Sequence, residues 1–136
     1  MKWAAGDLGR AYSVAMWIYN GMPGDARAVA GYFFSRGVDG VLGGGGDHLG
    51  IGGLQAAPNH VIFFNGNEPG QLLEGDTHLE LKRWYHVLLV RTGRTVTVHL
   101  DGSLKPEIAG EADVAEPGGG RDRAGRGGPS AVHAGV

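Results

Sequence analysis

Residues 83–102 read "RWYHVLLVRTGRTVTVHLDG". Two apolar runs, 83–91 and 94–100, flank Thr92-Gly93, and Asp101-Gly102 follows the second. In that second run Val96, Val98 and Leu100 alternate with Thr95, Thr97 and His99. A period of two places the valines and the leucine on one buried face and the polar set on the other, as in a half-buried strand. Glycine and Asp tolerate positive φ, so Thr92-Gly93 and Asp101-Gly102 both predict tight turns. The next segment, "SLKPEIAG" (103–110), contains Pro106, which confines it to a sheet edge or a strand end.

The same punctuation runs outward from this hairpin. "HVIFFNGN" (60–67) alternates Val61 and Phe63 against Ile62 and Phe64 and ends at the turn pair Asn65-Gly66. "YSVAMWIY" (12–19) is apolar on both alternating faces, which predicts a strand covered on both sides. "GYFFSRG" (31–37) and "DHLGIGG" (47–53) are two further short strands. "THLELK" (77–82) alternates Thr77, Leu79 and Leu81 with His78, Glu80 and Lys82, the pattern of another half-buried strand. Only "DARAVAGYF" (25–33) could hold even one helical turn. Strands every 8–12 residues without helices predict an all-β antiparallel two-sheet sandwich or jelly roll. Residues 1–115 form that domain, and the Gly/Arg-rich stretch 116–136 reads as a disordered tail with nothing to bury.

Bulk composition narrows the function. The 136 residues carry a formal net charge of −2, which gives no reason to expect nucleic acid or an anionic membrane as partner. No run approaches the roughly 18 apolar residues of a membrane span, and "MKWAAGDLGRAYSV" lacks the apolar core of a signal peptide. Cysteine is absent, so disulfides, thiolate metal sites and thiol nucleophiles are excluded. The single "RGG" at 126–128 lacks the repeats and stacking aromatics of an RNA-binding tail.

The blocks "YSVAMWIYNGMPGDARAVAGYFFSRG", "GDHLGIGG", "IFFNGN" and "RWYHVLLVRTGRTVTVHLDG" together resemble a laminin-G-like domain of the concanavalin A-like jelly-roll superfamily. The resemblance covers roughly residues 8–112 and is strongest in the aromatic–His strand followed by Leu-Asp-Gly. It implies a recognition or spacer module of a larger extracellular or periplasmic protein, with neighbouring domains in the same chain. It also implies a carbohydrate or an extracellular protein as ligand. The chain departs from the family after Val114, where a closing strand is expected and Arg/Gly residues stand. That departure predicts a truncated or frame-shifted copy with one sheet edge uncovered.

The glycine-rich "GVLGGGGDHLGIGG" (40–53) is not a P-loop, because no Gly-Lys-Ser/Thr follows, and no helix follows as a dinucleotide fingerprint requires. It reads as a pliable crossing into the strand begun by Asp47-His48. Laminin-G-like domains often hold one Ca²⁺ at a rim, and the resemblance offers Asp47 with Asp39 as its carboxylates. The six histidines form no HExxH and no H-x-H pair, which argues against zinc. Glucanases of the superfamily carry three carboxylates on one strand. Here "EGDTHLE" supplies Glu74, Asp76 and Glu80 at a spacing too long for a retaining pair, which must come within about 5–5.5 Å. A β-glucan hydrolase is therefore the enzymatic alternative, a pure spacer the structural one, and a non-catalytic module the reading adopted. Trp17, Tyr19, Arg36 and Asn65 are the candidate ligand residues, although Trp17 reads more readily as core, and Trp84 reads as core.

Overall fold

The computed structural model describes residues 2–3, 11–38, 46–65, 72–112 and 130–134, with side chains described over 11–36, 46–65 and 72–112. Within them lie ten strands: β1 (Lys2–Trp3), β2 (Ala11–Asn20), β3 (Val29–Val38), β4 (Asp47–Gly53), β5 (Ala56–Asn65), β6 (Leu72–Glu74), β7 (Arg83–Thr92), β8 (Thr95–Leu100), β9 (Ile108–Glu111) and β10 (Ser130–Ala134). They form two antiparallel sheets, a six-stranded one in the order β1-β10-β3-β4-β5-β6 and a four-stranded one in the order β2-β7-β8-β9. This is the all-β two-sheet sandwich expected from the alternation.

The core lies between the sheets. Val87 and Leu89 of β7 and Val96 and Val98 of β8 are fully buried, and they face Phe34, Leu49, Val61 and Phe63 of the other sheet in one hydrophobic cluster. The alternation in β8 is as the sequence predicts, with Thr95 outside and Leu100 inside. Asp101 and Gly102 sit at φ of 51° and 73°, and Gly93 at 55°, so both turns adopt the left-handed backbone that favours these residues. Pro106 precedes β9, the edge strand of its sheet.

Glycines in β4 serve close backbone approach. A Cβ at Gly50 would lie 2.3 Å from the Gly31 carbonyl oxygen, and one at Gly52 would lie 2.2 Å from that of Ala57. Register shifts occur at these places, between Val29 and Gly31 in the pairing with β3 and between Ile51 and Gly52 in the pairing with β5. From Asp47 onward the glycine-rich stretch is thus a central strand, squeezed where its pairings with β3 and with β5 shift register. Residues 40–45 of the stretch lie outside the described residues.

Three sequence expectations are corrected. Residues 77–82 are not a strand but the crossing between the sheets. The Leu79 N–H donates to the Asn59 carbonyl of β5, whereas the Lys82 N–H donates to the Asn20 carbonyl of β2. Leu79 is nevertheless fully buried, and Lys82 turns the chain with a positive φ of 58°. Strand β2 is covered on one side only: Ala11, Ser13, Ala15, Trp17 and Tyr19 are exposed, so Trp17 is not core. Nor is Trp84, which lies beside Tyr19 on the same uncovered face. A sandwich of two layers leaves the outer face of each sheet to solvent. Finally, within the expected tail, Ser130–Ala134 pair with β3 on one side and β1 on the other. Backbone pairing requires only N–H and C=O groups, which this segment supplies without marked apolar alternation. The point of departure from the family pattern after Val114 lies outside the described residues.

Candidate functional site

The candidate residues fall into two groups on opposite faces of the four-stranded sheet. Arg36, Asp47 and Asn65 come together inside the sandwich. All three belong to the six-stranded sheet and point inward, and each is at most 5% exposed. Two residues from the other sheet meet them. Tyr12 of β2 donates its hydroxyl to Asp47 Oδ2, and Arg91 of β7 places Nε 3.3 Å from the same oxygen. Asn65 Nδ2 donates to Asp47 Oδ1, so both carboxylate oxygens are engaged. The Arg36 guanidinium lies over the Tyr12 ring at 5.1 Å, and Arg91 lies over Phe63 at 5.8 Å. Arg91 also donates to the Arg94 and Ala112 carbonyls, at 3.1 and 3.3 Å. A buried charge demands such pairing, and this cluster ties the sheets together electrostatically.

Calcium does not fit this carboxylate. A cation at Asp47 would sit beside the Arg91 guanidinium and would have to displace Tyr12 and Asn65. Asp39, the second expected ligand, lies outside the described residues.

Burial raises the Tyr12 pKa far above its ordinary value, and the neighbouring Asp47 carboxylate raises it further. Tyr12 therefore stays protonated and donating. Its folded pKa exceeds the unfolded one, so its contribution to stability is complete below about pH 10 and fades as pH rises through the alkaline range. Wild-type stability should exceed that of Tyr12→Phe by about 1–3 kcal/mol at pH 7, the cost of an unsatisfied buried acceptor. The difference should shrink above pH 10 by up to about 1.4 kcal/mol per pH unit, measured by urea unfolding at stepped pH. A pH-independent difference would contradict the assignment.

Trp17 and Tyr19 belong to the second group. They stand on the outer face of the four-stranded sheet, where β2 pairs with β7 in unbroken register. Trp17 lies opposite His86 with ring centroids 5.2 Å apart, and Tyr19 lies opposite Trp84 at 5.4 Å. Trp17 is 66% exposed, Trp84 58% and Tyr19 43%. Leu88 and His99 continue the same face across the register. Sequence reasoning missed Trp84 and His86 as members of this face. The one available signal was that they alternate with Tyr85, Val87 and Leu89.

Concavities among the described residues include one on an outer face of the sandwich and one between its sheets. A groove of about 330 Å³ on the outer face of the six-stranded sheet is lined by Val29, Tyr32, Gln55, Ile62 and Phe64 among others. A cleft of about 300 Å³ between β2 and β3, which Tyr19 also borders, is lined by Ile18, Met22, Ala30, Phe33 and Ile51 among others. The expected carboxylate trio does not share a strand. Glu74 ends β6, Asp76 lies in the turn after it, and Glu80 in the crossing pairs with Arg83 at 3.3 Å.

No helix among the described residues is long and apolar enough to cross a membrane. A search of curated proteins finds no match to the sequence. The family model Laminin_G_3, described as the concanavalin A-like lectin/glucanases superfamily, matches residues 2–133. Domains of this kind are commonly binding modules for carbohydrate or protein, generally without catalysis, and are typically extracellular. The match spans nearly the whole length and agrees with the two-sheet architecture, and the chain belongs to the laminin-G-like family of that superfamily.

Proposed function

We propose that this chain is a non-catalytic recognition module of a larger exported protein, and that it binds an oligosaccharide on the outer face of its four-stranded sheet. The observation that supports this reading is the exposure of Trp17, Trp84 and Tyr19 side by side on one rigid face. Large rings on a surface lose the benefit of burial and mark a contact site when they are contiguous. A sugar ring offers an apolar C–H face for stacking and hydroxyls at its rim. Here the indoles would take the first, and His86, His99 and Thr97 on the same face would meet the second. The two aromatic rungs stand two residues apart along the strands, about 7 Å, which suits a chain of sugar units over a single one.

The test is a glycan array probed with the wild type and a Trp17→Ala/Trp84→Ala variant. Both side chains are largely exposed, so the variant should keep its unfolding midpoint. Each lost ring should weaken binding by about 1–2 kcal/mol, or roughly five- to thirtyfold in Kd. Equal binding by both proteins would move the site away from this face. Binding only to proteins would assign the rings to a protein partner, and the absence of any ligand would leave the spacer role.

A further inference from the structure

The sheet edges are unequal. Strands β1, β6 and β9 have 2, 3 and 4 residues, whereas β2, also at an edge among the described residues, has 10. Proteins guard long edges with charges, prolines or bulges, because unpaired N–H and C=O groups recruit another strand. The sequence of β2, "AYSVAMWIYN", has no charge and no proline, and its pairing with β7 has no register shift.

The direction of its free backbone groups follows from β7. The His86 N–H donates to Asp101 Oδ1, and the His86 carbonyl accepts from the Asp101 N–H, so both point away from β2. Trp17, opposite His86, is therefore in a non-hydrogen-bonded pair, and its own N–H and C=O face the open edge. By the period of two, Ser13 and Ala15 do the same.

We propose that β2 pairs antiparallel with β2 of a second copy of this chain, about a two-fold axis at Ala15. The size pattern of the strand carries the register. Its outer face reads Ala11, Ser13, Ala15, Trp17, Tyr19, small residues first and large ones last. Antiparallel pairing about Ala15 sets each Trp17 beside the other copy's Ser13, and each Tyr19 beside its Ala11. On the inner side Val14, only half-buried, meets the equally half-buried Met16. A register about Met16 pairs as many residues but sets the two Trp17 rings diagonally against each other, and registers centred farther along the strand pair fewer residues. The pairing is isologous and consumes both β2 edges, so assembly stops at two. The aromatic rungs stand perpendicular to the sheet and stay open on the joined, eight-stranded face.

The test is sedimentation equilibrium of the full chain at micromolar to submillimolar concentration. The wild type is expected to be dimeric. Ala15→Lys opposes two ammonium groups at the axis and should be monomeric, with a cooperative unfolding transition whose midpoint no longer rises with protein concentration as the wild type's does. The chain has no cysteine, so a lone Ala15→Cys reports the register directly. Hydrogen-bonded antiparallel pairs hold Cα atoms about 5.5 Å apart, within disulfide range. Ala15→Cys should oxidise to a covalent dimer, while Ala109→Cys on the β9 edge should not. A monomeric wild type, an undiminished dimer in Ala15→Lys, or equal cross-linking at both positions overturns the proposal.

Discussion

Replacing Asp47 by alanine is expected to lower the unfolding midpoint by about 10–20 °C. The side chains of Asp47 and Arg91 are each 4% exposed, and their contact joins β4 of one sheet to β7 of the other. Removing the carboxylate leaves a guanidinium in the interior, together with a Tyr12 hydroxyl and an Asn65 amide that lose their acceptors. Breaking a buried pair on one side typically costs about 3–5 kcal/mol, because the remaining charge has no water to turn to. Arg91 keeps its bonds to the Arg94 and Ala112 carbonyls, which sets the expectation within that range rather than above it. Asp47→Asn removes the charge but keeps one accepting oxygen, its new NH2 facing one of the former donors, so its loss should be smaller than that of Asp47→Ala. Millimolar Ca²⁺ should leave the wild-type midpoint unchanged, since the carboxylate is already engaged by Arg91, Tyr12 and Asn65. A rise with Ca²⁺, abolished in Asp47→Ala, would contradict this reading of the cluster.

Phe63→Ala should cost about as much, roughly 3–5 kcal/mol. Phe63 is fully buried on β5, and its ring lies under the Arg91 guanidinium. Alanine there opens a cavity in the middle of the inter-sheet cluster and also removes the surface on which Arg91 rests. Phe63→Leu refills most of the volume but not the π face, so its loss should be clearly smaller. Because Phe63 and Asp47 both hold Arg91, the double substitution should depart from additivity by at least about 0.5 kcal/mol. Denaturant unfolding of the four proteins checks both values. Strict additivity would show that the ring and the carboxylate act independently.

What the sequence disclosed depended on whether each strand interacts with near or distant neighbours. The β7–β8 hairpin was legible because its signals are local: Val96, Val98 and Leu100 alternate with polar residues, and Asp101-Gly102 closes the turn. The orientation of β7 was not. One of its faces carries Trp84, His86, Leu88 and Val90, and the other carries Tyr85, Val87, Leu89 and Arg91. Hydrophobicity favours the tryptophan face as the buried one, yet the arginine face is inside. Asp47, a partner from another sheet that period counting along β7 does not see, makes the arginine tolerable there. Trp17 on β2 follows the same orientation, since its register with β7 sets it beside His86 on the open side. In "THLELK" a true period of two accompanies a segment that bonds to both sheets, where alternation buries Leu79 without making a strand. Of the four proposed ligand residues, Trp17 and Tyr19 reach one surface, whereas Arg36 and Asn65 are drawn inside by Tyr12 and Asp47.

The outer face of the four-stranded sheet is the proposed recognition surface. Its most direct test is an NMR titration of the labelled protein with the best glycan from the array. The indole signals of Trp17 and Trp84 and the ring signals of Tyr19 and His86 should shift together and saturably. Those of Tyr32 and Phe64, in the groove of the other sheet, should stay in place. Shifts confined to Tyr32 and Phe64, with the two indoles unmoved, would contradict recognition on the four-stranded sheet.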